Sequence, residues 1–223
     1  MGVNGEAMIS LEYSAQEYIN LGLELNSSEE KWESALKMIE ARFRERYFST
    51  INYLSIDFSC RANSNRKIEK NGFAIMALNC LLIDTFYQFE YGLESSSEWN
   101  PITEDSGVGR HYTNFLRLKF PEIFMNQNAI NENTDLASLF YYQIRCGILH
   151  SAQTKGCSML TCESVETVEY IYREDKVGIQ VNVRSLSKAL QRYFFEDYLL
   201  RLKNGDVGTR SAFVEKMRYV CGY

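Results

Sequence analysis

Apolar side chains spaced three and four residues apart run through most of this chain, and that spacing predicts a mainly helical fold. Residues 1–26 read as a mixed lead-in segment in which Ala15–Leu25 forms a short helix. Ser27 and Glu30 then fit a capping box ahead of a long periodic pattern through Trp32, Leu36, Ile39, Phe43, Tyr47, Ile51 and Leu54. Phe73–Tyr91 is apolar on every side, with polar interruptions at Asn79, Asp84 and Gln88, so it belongs at the centre of a bundle. His111–Phe120 is a further helical stretch ended by Pro121. An Asn-rich segment, Asn126–Asn133, offers a helix N-cap at Asn133 or Thr134. The helix that follows runs through Leu139 and Phe140 towards Gly156, its expected terminator, and Ser185–Lys203 and Thr209–Val220 read as two more helices.

The period changes after Gly156. Met159, Thr161, Val165, Val168, Tyr170 and Tyr172 lead to the turn Glu174-Asp175-Lys176, and Val177, Ile179, Val181 and Val183 follow it. Alternating β-branched residues around a polar turn signal a hairpin. The fold class is therefore mainly α, a helical bundle with a small antiparallel β-hairpin inserted over residues 157–183. Two polar stretches read as loops: Arg61–Lys70, whose Arg61, Arg66 and Lys67 give it a basic character, and the long exposed run Glu94–Gly109. Gly107-Val108-Gly109 is no phosphate cradle, because the preceding strand and the Lys-Ser/Thr of a P-loop are missing.

Charge narrows the partners. With 24 basic against 29 acidic residues, a net charge of −5 argues against a broad electrostatic footprint for DNA, while a local RNA pocket stays compatible with it. At 223 residues one domain with a full core is expected over 1–223. The chain has no run of 18 apolar residues, and MGVNGEAMIS lacks the basic start and apolar core of a signal peptide, so a cytoplasmic protein without a membrane partner is expected. Its six cysteines include no CxxC pair, which speaks against a disulfide framework.

Candidate chemistry concentrates in Leu139–Gly156, where Arg145 and His150 are separated by four residues inside an otherwise apolar helix. An arginine between Ile144 and Ile148 needs an anionic partner, either a carboxylate of the same chain or an anion from outside. Leu136, Leu139, Phe140, Ile144 and Ile148 form one apolar stripe, and Tyr141, Tyr142 and Leu149 surround Arg145 on the other side. A helix this apolar all round is covered twice, by its own core and by a second body such as another protomer. Positions five apart on an ideal helix diverge by roughly 140 degrees, so Arg145 and His150 do not share a face. A local distortion near Gly147, or the partner chain, would have to unite them.

The run RCGILH followed by SAQTKG, an arginine and a histidine separated by four residues late in a helical bundle, resembles the HEPN superfamily, in particular one of its bacterial RNase-like branches. That resemblance implies a metal-independent endoribonuclease, a hydrolase assembled across a homodimer through this helix and needing no cofactor. Arg145 would hold the scissile phosphate of an RNA substrate, and His150 would act as general acid or base. Many members of the family are toxins or antiviral defence effectors, so an antitoxin or other defence-system partner is also implied. Cys146 stands where the commonest family motif has a polar residue, often asparagine.

Three further features bear on this site. Asp84, a carboxylate in the most apolar helix, is the natural partner of Arg145, and their pairing would make the arginine structural and the chain a non-catalytic module that binds a protein or nucleotide. His111 would supply a second imidazole if it faced the site, although a surface position is expected of it. Cys146, His150, Cys157 and Cys162 also make up the donor set of a Cys3His zinc site, which would compete with the Arg145 chemistry.

Overall fold

Chain contacts divide the protein into two compact units, each assembled from separated segments. We describe them from a computed structural model, which covers residues 7–56, 71–125 and 135–222. The basic stretch around Arg66, the expected caps Asn133 and Thr134, and Cys60 lie outside the described residues. Secondary structure is mainly helical with one small sheet.

The first unit comprises residues 1–50, 85–106 and 191–223. Its first helix, α1 (Ala15–Leu21), begins at a true capping box, in which the Ser14 hydroxyl accepts from the Glu17 N–H and the Glu17 carboxylate accepts from the Ser14 N–H. The box expected at Ser27 and Glu30 does not form. Helix α2 (Glu29–Phe43) starts after Ser28 without a side-chain cap, and the Ser27 hydroxyl accepts from the Glu24 N–H instead. Helix α2 continues through a π-helical turn, Arg44–Phe48, into α3 (Ser49–Ile56). That wider turn moves the apolar stripe by one position: Phe43 and Phe48 are both buried, while Tyr47 is half-buried and its hydroxyl bonds to that of Thr85. The Phe43 ring lies 4.5 Å from that of Phe194 and 5.4 Å from those of Phe86 and Phe89, which makes it the hub of an aromatic core.

The second unit comprises residues 51–84 and 107–190. Helix α4 (Gly72–Tyr91) gives it the segment up to Asp84 and gives the remainder to the first unit. By length and composition α4 is apolar enough to cross a membrane. Its Ile75, Met76, Cys80, Leu82 and Ile83 are nevertheless buried by protein, and the fully buried Asn79 amide donates to the Ser187 hydroxyl at 2.9 Å. Buried polar groups satisfied in this way mark a core helix. Around it stand α5 (Val108–Lys119), the short α6 (Pro121–Phe124), α7 (Leu136–Leu139) and α8 (Cys146–Ser151), with α9 (Val183–Arg192) shared between the units.

The sheet has the order β1-β3-β2, with β1 at Met159–Thr161, β2 at Val168–Arg173 and β3 at Lys176–Asn182. The expected hairpin is present: β2 and β3 pair antiparallel across Glu174-Asp175, with Arg173 opposite Lys176. The third strand goes beyond that expectation. β1 adds to β3 in parallel, with Leu160 opposite Val181. Two further helices, α10 (Leu199–Lys203) and α11 (Val207–Cys221), close the first unit, and α10 is reached from α9 through the π-helical turn Tyr193–Tyr198.

Helix α7 is capped by Asp135, whose Oδ1 accepts from the Ser138 N–H while its Oδ2 accepts from Arg117 at 2.6 Å and from the Ser138 hydroxyl. Burial works against charge on Asp135, but these bonds outweigh it and hold its pKa below the ordinary aspartate range. A carboxylate depressed in the folded state contributes stability above the unfolded value of about 3.9, and that contribution disappears as pH falls through the lower folded value. Asp135→Asn keeps a capping side chain but loses the charge that pairs with Arg117, and should therefore lower the melting temperature at neutral pH, by an amount worth about 1 kcal/mol, with the gap to the parent protein closing in acid. Thermal melts across a pH series provide the check.

Candidate active site around Arg145

The stretch bearing Arg145 is not one regular α-helix. After α7 the chain widens into a π-helical segment, Phe140–Arg145, where the Cys146 N–H donates to the carbonyl of Tyr141, five residues back. Phe140 and Ile144 point into the core of the second unit, and Tyr141, Gln143 and Arg145 are half-buried. Helix α8 then ends at Ala152, which takes the left-handed conformation at φ 53°. Gly156 is thus not the terminator. It lies in the chain that folds back over the helix, where the Lys155 N–H donates to the Gln143 carbonyl at 2.8 Å. That return requires Gly147, because a side chain there would run into the Gln153 carbonyl and the Lys155 N–H.

Gln143 fixes the motif helix to the sheet. Its amide nitrogen donates to the Val177 carbonyl at 3.1 Å, and its amide oxygen accepts from the Ser158 hydroxyl at 2.6 Å. The buried Ser158 hydroxyl in turn accepts from the Ile179 N–H at 2.8 Å. Gln143→Ala should leave part of this chain unpaired and cost about 1–3 kcal/mol in chemical denaturation. The signal for Gln143 was a polar residue inside FYYQIR, one position from an apolar stripe.

Arg145 sits against Tyr141, with its guanidinium carbon 5.5 Å from the ring centroid. Tyr141 meets Tyr112 of α5 at 5.5 Å, and the Tyr112 hydroxyl donates to the Cys80 carbonyl on α4 at 3.4 Å. The Cys146 thiol lies within electrostatic reach of Arg145 and Tyr141. Burial disfavours the charge on Arg145. The field of the Asp84 carboxylate, followed by Tyr141 and Cys146, overrides this and raises its pKa above the ordinary arginine value. On its neighbours burial is the largest influence and acts upward, pushing the Cys80 thiol up to about 12 and, with the Cys80 and Asp84 charges, the Tyr112 hydroxyl well above the usual phenol range.

Asp84 and Arg145 are thus brought together, as the sequence suggested, but as charges that feel one another without a closed ion pair. Arg145 Nε and Asp84 Oδ1 are both buried without a hydrogen-bond partner among the described residues. Unsatisfied buried polar atoms of opposite charge are costly in a resting fold and available to a ligand.

His150 belongs to a different environment. It is exposed on α8, and no hydrogen bond or ion pair joins it to Arg145. The intervening residues are α-helical, which keeps the two side chains about 140 degrees apart. The π segment ends at Arg145 and does not change that angle. His111, expected at the surface, is 1% exposed, so it is a core histidine of the second unit and not an imidazole offered to solvent. The zinc set does not assemble either. No group of three or more His, Cys, Asp or Glu among the described residues can hold a metal ion, and the Cys157 thiol turns to the Lys176 carbonyl at 3.6 Å.

No protein-family description, no curated protein and no solved structure matches this chain.

Proposed function

We propose that the chain is a metal-independent endoribonuclease of HEPN type, a toxin or antiphage effector that acts as a homodimer through the helix carrying Arg145 and His150. One observation carries this reading: a permanently charged arginine with a buried, unpartnered Nε lies about 1.4 turns before an exposed, unengaged histidine. Arg145 neutralises charge developing on a phosphate, and His150 exchanges a proton with the ribose 2′-hydroxyl or the leaving oxygen. Since the two side chains of one chain diverge, the active unit combines Arg145 of one protomer with His150 of another.

The second reading has its own support. The influence of Asp84 on Arg145, together with the half-burial of the arginine, favours a helical module that binds a protein or nucleotide and uses Arg145 structurally. Incubation of the purified protein with total RNA and a tRNA panel in EDTA, beside His150→Ala, separates the two. Cleavage by the parent alone, leaving 2′,3′-cyclic phosphate ends, supports the nuclease. Equal products from both proteins, or none from either, favour the module.

A further inference from the structure

Residues 92–106 of the first unit contain Glu94, Glu98, Glu104 and Asp105 and no lysine or arginine. The sequence marks this stretch as an exposed loop, yet it is built around a fully buried side chain, Asn100. The Asn100 amide nitrogen donates to the Tyr87 hydroxyl at 2.7 Å, its amide oxygen accepts from the Ile102 N–H at 2.9 Å, and its backbone N–H donates to the Asp105 carbonyl at 2.9 Å. Glu98 closes the preceding turn by accepting from the Ser95 N–H at 3.1 Å. The loop is also tied to α11: the buried Lys216 ammonium donates to the Glu94 carbonyl at 2.9 Å, and at Gly92 a Cβ would press against the Ala212 backbone.

This framework presents large apolar side chains outward. Trp99 is 59% exposed and Ile102 68% exposed, on either side of the buried asparagine. The chain's other tryptophan, Trp32, is fully buried, so the exposure of Trp99 does not reflect a shortage of core. Nearby on α11, Tyr219 is partly exposed and lies in the field of Glu215, Glu98 and Glu94. Tryptophan held out on a well-bonded loop is the usual composition of an interface anchor, and a carboxylate rim selects the charge of whatever covers it.

We propose that the loop carrying Trp99 and Ile102 is a docking surface for a basic amphipathic segment of a partner protein, one that offers an apolar pocket or stripe flanked by Lys or Arg. Nucleic acid is repelled by the same carboxylates, so this surface is separate in chemistry from any phosphate site at Arg145. The proposal does not depend on the nuclease reading.

The test uses the full chain and defined probes: a fluorescently labelled amphipathic leucine–lysine helix, its leucine–glutamate counterpart, a single-stranded RNA oligonucleotide and phosphatidylcholine vesicles. Saturable binding of the leucine–lysine peptide alone is expected, weakening with salt and shifting Trp99 emission to the blue. Trp99→Ala should weaken it about thirtyfold or more, as for an anchor residue. Glu94→Lys combined with Glu104→Lys should act in the same direction, and both proteins should keep the parent's melting temperature because the altered side chains are exposed. Failure of the basic peptide to bind, equal binding by Trp99→Ala, or preference for the oligonucleotide, the vesicles or the acidic peptide would each overturn the proposal.

Discussion

On the proposed ribonuclease reading, replacing His150 by alanine is expected to reduce RNA cleavage by about a hundredfold to ten-thousandfold, the range a positioned acid or base contributes, with no change in melting temperature. The second half of that expectation follows from the fold. His150 is exposed and bonded to no described side chain, so its removal breaks nothing. Arg145→Ala should abolish cleavage to a similar degree, but its effect on stability separates two roles. If Asp84 needs Arg145 for the fold, the variant strands a partly buried carboxylate and should lose several kcal/mol, up to the 3–5 kcal/mol (roughly) seen when one partner of a buried pair is removed. If Arg145 is held charged chiefly for a phosphate, Arg145→Ala should lose far less, because no closed ion pair exists to be broken. Guanidinium denaturation of both variants beside the cleavage assay gives the answer. Retention of parental cleavage by His150→Ala would refute the nuclease.

The parts of the fold legible in the sequence are those governed by one short-range rule. The all-round apolar run of α4 identified a core helix, and Glu174-Asp175 between β-branched alternations identified a hairpin. Features decided by tertiary contact were not legible. Three π-helical segments, Arg44–Phe48, Phe140–Arg145 and Tyr193–Tyr198, each shift the buried stripe, and nothing in local composition announces a wider turn. Ala152 ends α8 in a conformation usually left to glycine because the returning chain packs on Gly147, whereas Gly156 looked like the stronger stop signal. The third strand also escaped notice, since the short β1 pairs in parallel with a strand more than a dozen residues later.

The site was legible to a similar extent. The charge of Asp84 does reach Arg145, the pair the sequence suggested, but no ion pair closes between them. Tyr141 was read as apolar cover around Arg145, its partner Tyr112 carried no signal of its own, and His111, expected at the surface, is buried. Of the three π segments among the described residues, two serve the aromatic core of the first unit. The distortion at Phe140–Arg145 therefore carries weight only together with the unpartnered Nε that follows it.

The largest loss of stability from a single polar substitution is expected at Glu90, in the first unit. Its carboxylate is 8% exposed, and Oε2 accepts from the Tyr193 hydroxyl at 2.7 Å and from Arg201 at 2.7 Å. Arg201 completes the network through Asp197 at 3.1 Å and the Thr209 hydroxyl at 2.6 Å, and Thr209 donates to Asp206, the cap of α11. Burial works against the Arg201 charge, yet the Glu90 bond raises its pKa above the ordinary value, so it stays protonated at any pH at which the protein is folded. Glu90→Ala leaves that cation short of its best partner and removes the carboxylate that accepts from the buried Tyr193 hydroxyl, at a cost of about 3–5 kcal/mol. Arg201→Met in the same chain should recover much of the loss, because an apolar pair avoids the desolvation that the ion pair has to overcome. Urea denaturation of the two single variants and the double variant measures the coupling directly. Additive losses would mean that Glu90 and Arg201 act independently, with Asp197 and Thr209 sufficient to hold the arginine.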